Sequence, residues 1–213
     1  TLMNPTVEAA VFENGFDVIL NQGLAYDSCQ VGVITNIDPE HHFGRNGIES
    51  QKQVFTVLRT QVDIVTPTAA AIDDVNKDIK LPIGAAILRA EDEMLVEIAE
   101  LCHGEVIYFS RNPDLPVLIQ HCSQGTGPTQ GKRAVAIRNN NIVLITGSEE
   151  LSLIDLSEIT VEQPKPDTET IENILAAIAT AWALGIEPDL LRTGIKSFRF
   201  NPTTITPEIK IFH

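Results

Sequence analysis

The chain has 213 residues and a formal net charge of −14, with 43% apolar and 21% charged residues. This composition is typical of a folded globular domain, and the scarcity of positive charge argues against a nucleic-acid or anionic-membrane partner. Three cysteines, no signal peptide and no stretch apolar enough to span a bilayer predict a cytoplasmic protein without a disulfide framework. The first residue is Thr1, so we expect a piece of a longer polypeptide.

In the first half of the chain, apolar β-branched runs alternate with segments of helical period. The predicted strands are Val7–Phe12, Val31–Ile37, Asp63–Val65, Ala85–Leu88 and Glu105–Phe109. The predicted helices are Gly15–Ala25, Gln51–Arg59 and one that begins at Glu91. Strand, helix and strand in this order imply right-handed crossovers. The sequence therefore predicts an α/β fold with a mainly parallel sheet flanked by helices.

The second half departs from that pattern. Arg133–Ile137 and Ile142–Ile145 flank three consecutive asparagines, which tolerate the left-handed backbone of a tight turn, so an antiparallel hairpin is predicted over residues 133–146. A long amphipathic helix is predicted over Thr168–Leu184, and another begins at Pro188.

A polar segment, Asn36–Gly44, begins at the end of the predicted strand Val31–Ile37. Ligand sites of parallel α/β sheets lie beyond the carboxyl ends of the strands. Glu13 ends another predicted strand and is therefore expected at the same edge. An acid from one strand end and an imidazole from the other can clamp a metal ion, whereas a plain surface loop with two histidines is the alternative.

Two other segments resemble sites only superficially. Ser123–Arg133 is rich in glycine but lacks the first glycine and the hydroxyl residue of a phosphate loop, so we predict a surface loop. Cys102–His103 and His121–Cys122 could be two zinc-ligand pairs, but adjacent side chains point apart. A buried cysteine beside a polar histidine is the favoured interpretation.

Several stretches together resemble the cyanophycin synthetases, which are related to the Mur ligases. They are the N-terminal LMNPTV leading to AVFE, then YD and VGVITNI, then EDEMLVEIAELCHGEVIYFS and ENILAAIATAWALGI. The resemblance runs through the chain in order. It implies that residues 1–213 are part of a nucleotide-binding central domain, with the phosphate loop upstream of Thr1 and the C-terminal Mur domain after His213.

The resemblance also implies site residues and chemistry. Mur-like ligases use ATP and magnesium to phosphorylate a carboxylate, and an amine then displaces the phosphate. By position, Glu13 and His42 match the residues that hold magnesium. Asn173 matches an asparagine near the adenine, and Asp92 belongs to a motif of the nucleotide site.

The sequence departs from the family at several of these positions. Phe16 stands where the family has an arginine, Arg89 stands where it has an asparagine, and His41 stands where it has an aspartate. A Gly-Arg pair expected near the end falls at Glu208–Ile209. Phosphoryl transfer depends on positioned cations and backbone amides. We therefore expect a degenerate nucleotide site and no cofactor bound by this segment itself.

Three functional hypotheses follow. The first is a non-catalytic, scaffolding or oligomerising module of a cyanophycin synthetase that polymerises β-aspartyl-arginine dipeptides. Its expected partners are the ATP-grasp module of the same polypeptide and further copies of the chain. The second is part of an active ligase that adds arginine to poly-aspartate, and the third is a stand-alone interaction module.

Overall fold

The computed structural model describes residues 9–66, 84–124, 132–159, 167–198 and 211–212. The strands are β1 (Ala9–Ala10), β2 (Val31–Ile34), β3 (Ala85–Arg89), β4 (Glu105–Ser110), β5 (Arg133–Arg138), β6 (Asn141–Thr146), β7 (Glu149–Asp155) and β8 (Ile211–Phe212). The helices are α1 (Phe16–Gln22), α2 (Pro39–His42), α3 (Gln51–Asp63), α4 (Glu93–Ala99), α5 (Pro116–Ser123), α6 (Thr168–Ala183) and α7 (Pro188–Ser197).

Six strands form one mixed sheet in the order β2-β3-β4-β5-β6-β7. Strands β2, β3, β4 and β5 pair in parallel with one another in this order. The pairings of β5 with β6 and of β6 with β7 are antiparallel. The predicted α/β class and the late hairpin are confirmed. Asn139 and Asn140 adopt positive φ at the turn between β5 and β6, as the asparagine triplet predicts. A third antiparallel strand, β7, and the helix α5 were missed by the sequence analysis.

Both faces of the sheet are covered. Successive residues of β3 are fully buried but belong to different cores, with Ala86 and Leu88 on one face and Ala85 and Ile87 on the other. Helices α1, α3, α4 and α5 pack on the first face, and α6 and α7 pack on the second. Burial on both faces explains why β3 has no polar residue until Arg89 at its carboxyl end.

The first predicted strand differs from the expectation. Among the described residues of this run, 9–12, only Ala9–Ala10 forms strand pairs, and its partner is β8 rather than the main sheet. Val11 is 67% exposed, so this run is not the buried strand that its apolar composition indicated. The predicted strand at Asp63–Val65 is also wrong, because α3 continues to Asp63 and Val65 forms only an isolated bridge with Cys29.

The two edges of the six-stranded sheet are built differently. At the β7 edge, Arg192 of α7 donates from Nε to the Leu153 carbonyl at 2.6 Å, which caps an outward-facing backbone group. Among the described residues, no strand pairs with the outer side of β2. No described helix is both long and apolar enough to cross a membrane.

Candidate functional site

A cavity of about 470 Å³ lies at the carboxyl end of β2, where the sheet topology places ligand sites. Glu13, Asp38, His41 and His42 all line it. The structure thus brings Glu13 together with the polar segment that follows β2, although β1 ends at Ala10 and does not belong to the six-stranded sheet. Their role as magnesium ligands stays a prediction.

The N-cap and the backbone conformation of α2 set the positions of the two histidines, His41 and His42. Asp38 is the N-cap of α2, and its side chain accepts a hydrogen bond from the His41 amide at 3.4 Å. Pro39 occupies the first turn of α2, where its missing N–H costs nothing. Gly44 then reverses the chain with φ +75°. The short helix therefore holds its two histidines at the rim of the sheet.

An aromatic stack occupies one side of this cavity. The Phe16 and His42 rings have their centroids 3.9 Å apart with an interplanar angle of 22°. His41 meets His42 edge-on, with centroids 5.4 Å apart. An aromatic ring thus lies against the imidazole that the resemblance predicts to be a magnesium ligand, and the alignment of Phe16 with an arginine of the family stays a prediction.

The donor set here fits magnesium only in part. A magnesium ion in the cavity would take the Glu13 carboxylate and the His42 imidazole from the protein, and would complete its coordination with water or phosphate oxygen. Within the ranges described above, no group of three or more His, Cys, Asp or Glu side chains is arranged to hold a metal ion. The same finding gives no support to a zinc site at Cys102–His103 and His121–Cys122.

A second cluster lies at the carboxyl ends of β3 and β4 and is dominated by ion pairs. Oε1 of Glu172, in the first turns of α6, is 3.0 Å from Arg89 Nη2 and 3.1 Å from Arg111 Nε. Glu172 is only 8% exposed, so its charge depends on these two guanidinium groups. This is where the family resemblance places the nucleotide.

Glu91 links this cluster to the end of β4. Its Oε1 accepts hydrogen bonds from the Ser110 hydroxyl at 2.8 Å and from the Arg111 amide at 3.1 Å. Its Oε2 lies 3.6 Å from Arg89 Nε, and these two atoms are buried without a hydrogen-bond partner. The two guanidinium groups, of Arg89 and Arg111, balance the charges of the two carboxylates, of Glu91 and Glu172. The contact between Arg89 Nε and Glu91 Oε2 is too long for a hydrogen bond.

The two residues matched to the nucleotide site are differently placed. Asp92 is the N-cap of α4, where Oδ1 accepts from the amides of Met94 at 3.0 Å and Leu95 at 3.4 Å. Asn173 is exposed on α6, next to the buried Glu172. The Asp92 carboxylate thus has a capping role that requires no ligand. The positions of Arg89 and Glu172 suit an internal ion pair better than an adenine.

Sequence reasoning missed Glu172 and Arg111. The signal for Glu172 lay in the helical period of α6, because the buried Leu175, Ala176 and Ala179 share its face. An acid on the apolar stripe of a helix indicates a buried ion pair. Arg111 carried no comparable signal, since its pairing depends on the turn after β4. Glu208–Ile209 and most of the glycine-rich segment after Ser123 lie outside the described residues.

Comparison with known proteins identifies the relatives. The cyanophycin synthetase of Geminocystis herdmanii is 32% identical over 197 residues, which cover 92% of this chain and 20% of that protein. The chain is homologous to a segment of the cyanophycin synthetases. It spans about a fifth of the length of these synthetases. The resemblance found in the sequence is therefore confirmed.

More distant similarities extend to the Mur ligases. A UDP-N-acetylmuramate–L-alanine ligase of Phenylobacterium zucineum is 25% identical over 188 residues, which cover 85% of this chain and 33% of that enzyme. A crystal structure of MurF from Acinetobacter baumannii superposes with a TM-score of 0.46 at 17% identity, over 87% of this chain and 31% of that one. No protein-family model matches the chain.

Proposed function

We propose that the chain is a non-catalytic Mur ligase-like module of a cyanophycin synthetase of the type that polymerises β-aspartyl-arginine dipeptides with ATP. The module acts as a scaffold for the polymerising ATP-grasp part of the same cytoplasmic polypeptide and as an oligomerisation unit. The proposal assumes that the whole protein has the function of the synthetases to which this segment is homologous. ATP and magnesium are used by the polymerising part.

The observation that carries the proposal is the ion-pair cluster around Glu172. A nucleotide site requires polar groups left free for the base and ribose and cations left free for the phosphates. Here both guanidinium groups, Arg89 and Arg111, are paired with Glu172. For Arg89 or Arg111 to bind the phosphates of a nucleotide, the protein would have to break a contact to a carboxylate that is almost fully buried, which is costly.

Calorimetric titration of magnesium-ATP tests this proposal in the intact protein with its ATP-grasp site disabled by mutation. We expect no saturable binding, and Asn173→Ala should leave the titration unchanged. A clear binding isotherm that Asn173→Ala weakens would contradict the proposal, because an exposed asparagine affects nucleotide affinity only if the nucleotide contacts it.

One observation favours the alternative, an active ligase that adds arginine to poly-aspartate. Glu13 and His42 line a single cavity, as a pair of magnesium ligands must. Supplying the intact protein with poly-aspartate, arginine and ATP distinguishes the two functions. Arginine incorporation that is lost in Glu13→Gln would establish the ligase, and its absence would support the scaffold.

The outer edge of β2, with which no described strand pairs, supports a role in assembly. The Ala85 amide donates to the Gln30 carbonyl at 2.8 Å, so Gln30, Gly32 and Ile34 bond to β3, whereas the backbone groups of Val31 and Val33 face outward. This edge carries no charged residue, and an uncharged open edge readily pairs with another strand.

Light scattering of the intact protein and of Val33→Pro tests this role. The substitution removes an outward N–H without removing a bond to β3. We expect a homo-oligomer that dissociates in the variant while the circular dichroism spectrum is preserved. A wild-type monomer would refute oligomerisation through this chain.

A further inference from the structure

A second cavity, of about 240 Å³, lies between α4 and α5 on the first face of the sheet. Glu100, directly after α4, and Lys132, directly before β5, both line it, which places it towards the amino-terminal ends of the strands. Its walls are apolar at Val96, Ala99 and Val117. At roughly 30 Å³ for each water-sized group, the cavity holds about eight such groups, so it suits a small molecule.

Two buried side chains of the sheet and of α5 face this cavity, and one of them lacks a hydrogen-bond partner. His121 is 6% exposed, and its Nε2 lies 3.0 Å from the Val106 carbonyl oxygen. Its ring meets that of Tyr108 edge-on, with centroids 4.7 Å apart. Tyr108 is only 4% exposed, yet its hydroxyl forms no hydrogen bond with any other described residue. Buried hydroxyl groups usually have a partner, which a ligand in the cavity would supply.

The cavity also carries one charge of each sign. Neither Glu100 nor Lys132 forms an ion pair within the described part of the chain, and the Lys132 ammonium donates instead to Gln124 Oε1 at 2.7 Å. Burial, with Lys132 nearby, lowers the pKa of His121 from 6.5 to about 4, so this ring is neutral at pH 7. Burial, with Glu100 nearby, raises the pKa of Tyr108 to about 12, so its hydroxyl keeps its proton.

These features match a small zwitterion. An ammonium group pairs with a carboxylate, and a carboxylate pairs with the ammonium of a lysine. A ligand with a single charge would satisfy one of Glu100 and Lys132 and lie beside the like charge of the other. The apolar walls in turn favour a ligand with a short hydrocarbon body, which they remove from water.

We propose that the cavity between α4 and α5 binds a small zwitterion with an apolar body, such as valine. The ligand's ammonium pairs with Glu100, its carboxylate pairs with Lys132, the Tyr108 hydroxyl hydrogen-bonds its polar head, and its body packs against Val96 and Val117. The inference goes beyond the scaffold role, which would stand if this cavity bound nothing.

Calorimetric titration of the intact protein with L-valine, isovalerate and isobutylamine tests the proposal. The last two probes keep the branched body of valine, but each lacks one of its charges. We expect valine to bind at least about 10-fold more tightly than either, which corresponds to about 1.4 kcal/mol. L-Arginine should not displace valine, because Glu100 is the only carboxylate among the described lining residues and cannot pair with two cationic groups at once.

Three variants assign the contacts. Tyr108→Phe should weaken valine binding at least about 5-fold without altering the circular dichroism spectrum, since the hydroxyl has no partner in the described part of the fold. Glu100→Gln should abolish the preference for valine over isovalerate. Lys132→Gln should abolish the preference for valine over isobutylamine. These opposite losses would not follow from a general disturbance of the structure.

Tyr26→Phe, Glu97→Gln and Lys52→Gln make the same changes outside the cavity and should leave all three titrations unchanged. The proposal would be overturned by the absence of saturable valine binding, by equal binding of the three probes, or by displacement of valine by arginine. Valine binding that is undiminished in Tyr108→Phe would also overturn it, because the ligand would then lie elsewhere in the protein.

Discussion

Glu172 of α6 and Arg89 of β3 form an ion pair of 3.0 Å between Oε1 and Nη2. The contact ties the start of a helix on one face of the sheet to the carboxyl end of a central strand. Because Glu172 is 8% exposed, water offers its carboxylate little compensation if the pair is broken. The pair therefore contributes to the relative position of α6 and the sheet.

Glu172→Gln is expected to lower the free energy of unfolding by about 2–3 kcal/mol, since two guanidinium groups lose their shared carboxylate. The matched control is Glu169→Gln, which makes the same change in the first turn of α6 at an exposed position. It should cost less than about 1 kcal/mol, through the helix dipole alone. Urea unfolding measures both. Equal losses would show that the ion pair contributes nothing specific.

Arg133 is expected to stabilise the fold more than Arg138, although both belong to β5. Arg133 forms a two-pronged contact with Glu105 at 2.8 and 2.6 Å, and its guanidinium carbon lies 4.7 Å from the Trp182 ring centroid. Arg133→Lys loses the forked geometry and should cost about 1–2 kcal/mol.

The control, Arg138→Lys, alters a more exposed contact with Glu150 and should cost less than about 1 kcal/mol. Since Trp182 is the only tryptophan, Arg133→Lys should also change the intrinsic fluorescence, and Arg138→Lys should not. An unchanged emission spectrum in Arg133→Lys would contradict the predicted ring contact.

Strand β3 and helix α6 could be predicted from the sequence because their pattern is local. Strand β3 is a short apolar run that ends in a charged residue, and α6 has an apolar stripe between an N-cap aspartate and a terminal glycine. The stretch at Val7–Phe12 has the composition of a strand, but its residues Ala9–Ala10 pair with β8 and not with the main sheet. Composition alone does not decide which edge a segment joins.

Some features of the candidate sites could also be predicted from the sequence, and others could not. The meeting of Glu13 and His42 at one cavity was expected from a rule for the strand ends of parallel sheets, and the two residues do line one cavity, although Glu13 follows no strand of the main sheet. The stacking of Phe16 on His42 and the convergence of Arg89 and Arg111 on Glu172 depend on the three-dimensional path of loops. Residues 61 positions apart, such as Arg111 and Glu172, leave no mark of their pairing in a single sequence.

Gly104 and Gly194 are expected to respond in opposite ways to alanine. A Cβ added at Gly104 would lie 2.2 Å from the Gly84 carbonyl oxygen, a backbone atom that cannot move away without displacing β3. Gly104→Ala should therefore cost about 2–3 kcal/mol. At Gly194, inside α7, the added Cβ has nothing within 4 Å, so Gly194→Ala should stabilise the protein by about 0.5–1 kcal/mol. Equal melting temperatures for the two variants would disprove the close approach of these backbones.

His121 is expected to make the protein sensitive to mild acid. The side chain is buried, one ring nitrogen lies 3.0 Å from the Val106 carbonyl, and burial lowers its pKa from 6.5 to about 4. A histidine that is neutral in the fold but protonates readily in the unfolded chain contributes stability that is complete above pH 6.5. This stability is lost as the pH falls from 6.5 towards 4, by about 3 kcal/mol in all.

Urea unfolding of wild type and His121→Asn across this pH range measures the effect. The amide of asparagine provides a donor but does not titrate. The carboxylates are common to both proteins, so their contribution cancels in the difference between the two unfolding free energies. This difference should therefore shrink as the pH falls. His103→Asn is the control, because it makes the same replacement at an exposed position. A difference between wild type and His121→Asn that is constant from pH 7 to pH 4 would show that His121 takes up its proton equally in the folded and unfolded states.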